Sequence, residues 1–208
     1  MPPGTVKNII FDLDGTLVDS LPGIEESARA AIGRVLPGEP MPDLRAAIGP
    51  PVAAMFASLW PDLPPKRSAR LLAEFRAHYG ETGCLRSQPY PQVGEVLARL
   101  HAAGMSLFLL TNKPLRPTQK ILDHFELAKF FDDIATPDSP QPFDSKPAGA
   151  RMLAVKFSLQ PDVTVLVGDG KDDAASAAEC GFTFFAAAYG YGVAATNASI
   201  RLEKFSEI

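Results

Sequence analysis

Four short apolar runs, Val6 to Leu13, Met105 to Leu110, Val163 to Val167 and Phe182 to Ala188, constrain what this chain can fold into more than any other feature. Helix-like stretches alternate with them, and buried strands alternating with helices predict a parallel sheet flanked by helices, an α/β architecture of the Rossmann-like, three-layer kind. Helices are expected over Val93 to Ala103, Thr118 to Phe125, Ala148 to Phe157 and Asp172 to Cys180. Gly104 and Gly181 fall just after two of them, where a left-handed terminating residue is favoured.

The strand ends are unusual. The first run closes in Asp12-Leu13-Asp14-Gly15-Thr16, and a buried strand should not end in paired acids unless something uses their charge. A bound cation is one such use. A carboxylate beside a divalent ion can also attack phosphorus while a second carboxyl group moves protons. Taken alone, the same letters describe a polar strand end with a Gly turn. The second run ends in Thr111-Asn112-Lys113, suited to a phosphate at the start of the next segment; taken alone, capping of the following helix is the favoured reading.

Lys146, just before the Ala148 helix, has the charge to neutralise both a carboxylate and phosphate oxygens; read in isolation it faces solvent. The third run leads into Gly168-Asp169-Gly170-Lys171-Asp172-Asp173, whose carboxylates repel one another unless a cation or a lysine sits among them. In an open parallel sheet, ligands bind outside the carboxyl ends of the strands, where these four groups converge.

Between Ser20 and about Gln88 the pattern is helical without a strand: Gly23 to Val35, Leu44 to Leu59 and Pro65 to Tyr79, punctuated by prolines. This reads as an inserted helical unit. The expected division is a core of residues 1–17 and 89–208 with a small helical cap domain at 18–88. Phe56 and Trp60 in the insert mark either a contact surface or, at helical spacing, its core.

Composition narrows the function. With 208 residues, 46% of them hydrophobic, the chain can bury a full core. A net charge of -4 and no Lys/Arg cluster argue against a nucleic-acid partner. No apolar run approaches the ~18 residues that span a bilayer. Met1 to Lys7 lacks the apolar core of a signal peptide, and Cys84 and Cys180 lack the spacing of a zinc or redox motif, so a soluble, cytoplasmic protein with free thiols is expected, as monomer or homodimer. Asn197-Ala198-Ser199 fits a glycosylation sequon, a tripeptide that arises by chance.

Together these residues resemble the haloacid dehalogenase superfamily of phosphohydrolases. Its four motifs appear in order: Asp12-Leu13-Asp14-Gly15-Thr16, Thr111-Asn112, Lys146, then Gly168-Asp169 with Asp173. The likeness covers nearly the whole chain, cap insert included. Thr111-Asn112-Lys113, Lys146-Pro147 and Tyr189-Gly190-Tyr191-Gly192 are most similar to the phosphoglycolate phosphatase branch. Two departures stand out: Gly170 occupies a place where the fourth motif usually has Ser or Thr, and Gln92 one where many relatives have glycine.

The resemblance implies a magnesium-dependent phosphatase acting on a small phosphate monoester through an aspartyl-phosphate. It makes Asp12 the nucleophile, Asp14 the acid and base, Lys146 the neutralising cation, and Thr111 and Asn112 the phosphate-binding pair. It implies Mg2+ held by Asp12, the backbone carbonyl of Asp14 and Asp169, with Asp173 in support. Arg45 and Gly49 are candidates for cap contacts to the leaving group; for Arg45 the competing reading is an exposed helix residue. The rival functions are a phosphomutase of the same superfamily, similar to beta-phosphoglucomutase, and an inactive binding protein that kept the fold.

Overall fold

The structure is a computed structural model that describes residues 6–192 and 200–208. Asn197 to Ser199 lie outside the described residues. In chain order, β1 (Asn8–Phe11) leads to the short β2 (Val18–Asp19) and then to the helices α1 (Leu21–Val35), α2 (Val52–Leu59) and α3 (Pro65–Glu81). β3 (Gln88–Pro89) returns to the core, followed by α4 (Val93–Ala102), β4 (Ser106–Leu110), α5 (Leu115–His124) and β5 (Asp133–Ala135). The chain continues through α6 (Lys146–Phe157), β6 (Thr164–Gly168), α7 (Lys171–Cys180), β7 (Thr183–Ala187) and β8 (Ile200–Leu202).

Six strands form one sheet in the order β5-β4-β1-β6-β7-β8, with every pairing parallel. β1 lies inside it because it is apolar on both faces: Ile9, Ile10 and Phe11 are wholly buried. The period-2 alternation sends Ile9, Phe11, Leu107, Leu109 and Val165 to one core, with Val96, Leu97, Leu100, Ile121 and Leu122 of α4 and α5. Ile10, Phe108, Leu110 and Leu166 face a second core with Ala150 and Leu153 of α6 and Ala177 of α7. The expected three-layer arrangement follows.

β2 and β3 pair antiparallel, Val18 with Pro89 and Asp19 with Gln88, so the inserted helices leave and rejoin the core at one two-stranded joint. Above it α1 and α3 pack together. The turn after α3, Gly83–Arg86, also lies tight against α1: a Cβ on Gly83 would lie 2.2 Å from Ser27 Oγ and one on Gly23 2.0 Å from the Gly83 carbonyl oxygen. Only glycine admits that contact. Met55, Phe56, Leu71 and Phe75 are buried within the inserted helices, in one apolar cluster that runs on to Leu13 and Phe11; Phe56 is therefore core, with the half-buried Trp60 packed against it.

Several sequence expectations are corrected. Leu44 to Leu59 is not one helix: a single turn at Arg45–Ala47 is followed by a break at Ile48 to Pro51 before α2. Gly49 sits at φ +121, and the residue before a proline is pushed out of the helical region. α5 starts earlier than Thr118, at Leu115, because Pro117 falls in its first turn, where no intrahelical N–H is needed. β5 and β8 went unread, being three residues each, too short for a periodic signal. Lys146 opens α6 rather than preceding it, with the Ser145 hydroxyl accepting from Ala148 N–H.

Candidate active site

The site lies where β1, β4 and β6 end. Asp12 continues the ladder beyond β1, donating its N–H to Val167 O at 2.9 Å, and the chain then turns sharply at Gly15, at φ +82. Leu13 O accepts from Thr16, Leu17 and Val18 N–H groups in that turn. The turn projects Asp12, 5% exposed, onto Lys146, also 5% exposed. The Lys146 ammonium donates to Asp12 Oδ1 and lies 2.7 Å from Asp173 Oδ1. Thr16 Oγ1 reaches Asp12 Oδ2 more weakly, at 3.4 Å.

A glycine makes room for one acid of the fourth motif. A Cβ on Gly168 would lie 2.2 Å from Asp173 Cγ, so the strand end must be bare for Asp173 to fold back, where its Oδ2 accepts from Gly170 N–H at 3.0 Å. Asp169 Oδ2 accepts from Tyr191 N–H at 2.6 Å and Gly192 N–H at 3.1 Å, so the Tyr189-to-Gly192 turn fixes this carboxylate from behind. The same turn pins the joint to the cap: the Tyr191 hydroxyl accepts from the N–H groups of Ser20 and Leu21 at the start of α1 and donates to Asp19. Tyr189 donates to Thr16 O.

One carboxylate oxygen from each of Asp12, Asp169 and Asp173 lies within 4.8 Å of the others, all three residues buried. Three acids against one buried lysine leave an excess of negative charge. Burial raises the Asp12 pKa well above the ordinary carboxylate range; Lys146 pulls against this, while Asp173, Asp169 and Asp14 add to it. Asp169 is pushed up to about 6, by burial first and then by Asp173, despite the two backbone donors. Burial opposes the charge on Lys146, but Asp12 and Asp173 outweigh it and raise its pKa, so the ammonium stays protonated. An oxygen-rich, undercompensated cluster of this kind fits a hard divalent cation.

Asp14 has a different partner. Its Oδ1 lies 2.9 Å from the Nζ of Lys113, which also donates to the hydroxyl of Tyr79 on α3. In the sequence Lys113 is only part of a motif and Tyr79 only the end of a helical stretch; their pairing joins a core loop to a cap helix. Thr111 is buried, and its hydroxyl accepts from Lys113 N–H at 3.2 Å. Asn112 Nδ2 donates to Gly49 O at 3.1 Å and to Asp172 Oδ2 at 3.2 Å, tying a predicted phosphate-side residue to a predicted cap contact.

Over these groups lies a cavity of about 590 Å³ between sheet and cap, lined by Asp12, Asp14, Thr111, Asn112, Lys146, Asp169 and Asp173 below. Ile48, Gly49, Val52, Met55 and Phe75 line it above. Arg45 is not among the lining residues; its guanidinium carbon lies 5.4 Å from the centre of the Tyr191 ring. The arginines that line the cavity are Arg76 and Arg116. Neither stood out in the sequence, since each is one exposed cation on a helix.

A parallel sheet with an acid cluster and a lysine at its carboxyl edge, under a helical cap, defines a capped α/β protein with a candidate metal centre. The chain belongs to the haloacid dehalogenase-like hydrolase family, whose model matches residues 6–181. It is 33% identical over 194 residues to a phosphoglycolate phosphatase of Vibrio vulnificus (strain CMCP6), covering 89% of this chain and 85% of the relative. A Haemophilus influenzae (strain 86-028NP) phosphoglycolate phosphatase is 33% identical over 205 residues, covering 93% and 91%. Among solved structures, a protein described as a predicted phosphoglycolate phosphatase from Haemophilus somnus 129pt superposes with a TM-score of 0.86 at 29% identity, covering 99% of this chain and 97% of that one. Among the described residues no helix is long and apolar enough to cross a membrane.

Proposed function

We propose that the chain is a magnesium-dependent phosphatase that hydrolyses a small phosphate monoester, of the phosphoglycolate kind, through an aspartyl-phosphate on Asp12. The observation that supports this most is the separation of Asp12 from Asp14. Two residues apart, they are held by different lysines, Lys146 and Lys113, as two carboxyl groups with different tasks require.

Asp12 attacks phosphorus in line, forming one P–O bond as the ester P–O bond breaks, and Asp14 gives the departing alcohol its proton. Asp14 then takes a proton from the water that attacks the aspartyl-phosphate, which releases inorganic phosphate and restores both carboxyl groups. Lys146, the Thr111 hydroxyl and the N–H of Asn112 hold the phosphoryl oxygens as charge redistributes among them.

The donor set suits magnesium: Asp12, the backbone carbonyl of Asp14 and Asp169 would hold the ion, with Asp173 in support, and when bound it supplies positive charge against which a phosphate can approach three carboxylates. Residues 18–88 act as the cap domain, excluding water during transfer, over a core of 1–17 and 89–208. For the leaving group, Gly49 and the cavity arginines Arg76 and Arg116 supply the backbone and cationic contacts a small acid needs, with Arg45 turned toward Tyr191 instead.

Phosphate release from a panel of phosphoglycolate, sugar phosphates, nucleotides and pyrophosphate, with and without Mg2+, tests the proposal. Metal-dependent release with phosphoglycolate among the best substrates is expected. Isomerisation outrunning release, with a bisphosphate requirement, would instead make the chain a mutase, and no turnover of any ester would leave an inactive binding protein.

A further inference from the structure

The side chain of Lys113 is 6% exposed, and its ammonium sits between one residue of the core and one of the cap: Asp14 Oδ1 at 2.9 Å and the hydroxyl of Tyr79. It also lies over the Tyr79 ring, 4.5 Å from the centroid. Tyr79 is held in turn by a column of aromatic rings through the cap. It stacks on Phe75 at 5.4 Å with the planes 8° apart, Phe75 meets Phe56 edge-on at 5.3 Å, and Phe56 meets Trp60 at 6.0 Å. One residue past Tyr79, Gly80 O accepts from Lys120 Nζ at 2.6 Å, a second tie between the end of α3 and the core.

This arrangement gives Asp14 a support that Asp12 does not share. A lysine on a loop has four rotatable bonds and positions a carboxylate poorly unless its own end is fixed. Tyr79 fixes it, and Tyr79 belongs to the cap. Phe75, the next ring of the column, lines the cavity that would receive the leaving group. The seating of the cap is thereby read out at the one carboxyl group that must meet the leaving oxygen.

We propose that Lys113 is a positioning residue which, clamped by Tyr79, aligns the Asp14 carboxyl group with the leaving oxygen only while the cap is seated. The inference rests on the phosphatase reading above and adds to it a second lysine, whose task is separate from that of Lys146. Lys113 does not touch the phosphoryl group; it acts through Asp14, whereas Lys146 acts on the nucleophile.

The test uses leaving groups that differ in their need for a proton. An alkyl ester such as phosphoglycolate needs its alcohol protonated as it departs, whereas nitrophenolate leaves without a proton. In Lys113→Met, formation of the aspartyl-phosphate from the alkyl ester should slow about 100-fold, the scale of a lost general acid, while the rapid burst of nitrophenol from p-nitrophenyl phosphate stays within about 3-fold of wild type. Tyr79→Phe, which keeps the ring and loses only the hydroxyl, should show the same split with a smaller loss. It decides the matter if Lys113→Met does not fold. Equal losses on both esters, or no loss on either, would overturn the positioning role while leaving the phosphatase reading intact. Should the wild-type protein hydrolyse no ester at all, the phosphatase reading falls and this inference falls with it.

Discussion

Gly190 lies directly against Gly15: a Cβ on Gly190 would be 2.3 Å from the Gly15 carbonyl oxygen and 2.4 Å from Cβ of Asp169. Two turns far apart in sequence, one after β1 and one after β7, thus close on each other around a single carboxylate. Gly15 contributes from its side, since a Cβ there would fall 2.2 Å from Asp169 Oδ2. The acid cluster is held by backbone packing as much as by charge.

Gly190→Ala should therefore push the Tyr189-to-Gly192 turn away and take the Tyr191 and Gly192 N–H groups off Asp169. Because such supporting hydrogen bonds typically tune metal affinity by 10- to 100-fold, the Mg2+ concentration for half-maximal activity should rise by about that factor. Titration of activity against Mg2+ measures it, and an unchanged midpoint in a folded variant would contradict the account.

Gly170→Ser should be tolerated. The residue has φ -113, and the nearest atom to an added Cβ is Asp173 Oδ2 at 3.5 Å, an ordinary contact. Serine at a helix N-cap exceeds glycine by only a few tenths of a kcal/mol, so the melting temperature should stay or rise slightly, by about 1–2 °C, with kcat within about 3-fold. A large loss of stability would mean that the glycine is required where the fold leaves room for a side chain.

The metal-free protein should lose stability as pH rises. Asp169 has a native pKa of about 6, above the unfolded value of ~3.9, so the folded state holds this proton more tightly. Its stabilising contribution is complete below the unfolded value and is lost as pH rises through 6; Asp12, also raised, acts in the same direction. Melting temperature in chelator should fall between pH 5 and pH 7.5, and Asp169→Asn should flatten that slope. Mg2+ should restore stability at the higher pH. Equal slopes for the two proteins would remove Asp169 from the explanation.

The residues most legible in the sequence were those ending apolar strands: Asp12, Asp14, Thr111, Lys146, Asp169 and Asp173 are conspicuous because polar groups at the ends of buried runs demand a partner. The sheet was legible for the same reason, except β5 and β8, whose three residues carry no period. Lys113 and Tyr79 could not be paired, because their contact spans 34 residues from cap to core and Tyr79 reads only as the helical neighbour of Phe75. Arg45 was misleading in another way. A small acidic substrate needs a cation, which made Arg45 a candidate, but its guanidinium lies over Tyr191 while Gly49 lines the pocket.

In the proposed mechanism Asp12 carries the phosphoryl group. Mixing the enzyme with Mg2+ and its best monoester, quenching in acid within the first turnover and mapping the peptides by mass spectrometry tests it most directly. One phosphoryl group is expected on the peptide containing Asp12, lost on longer incubation, with neither label nor turnover in a folded Asp12→Asn protein. Phosphate released in the first turnover with no phosphorylated enzyme, or wild-type rates in Asp12→Asn, would contradict it.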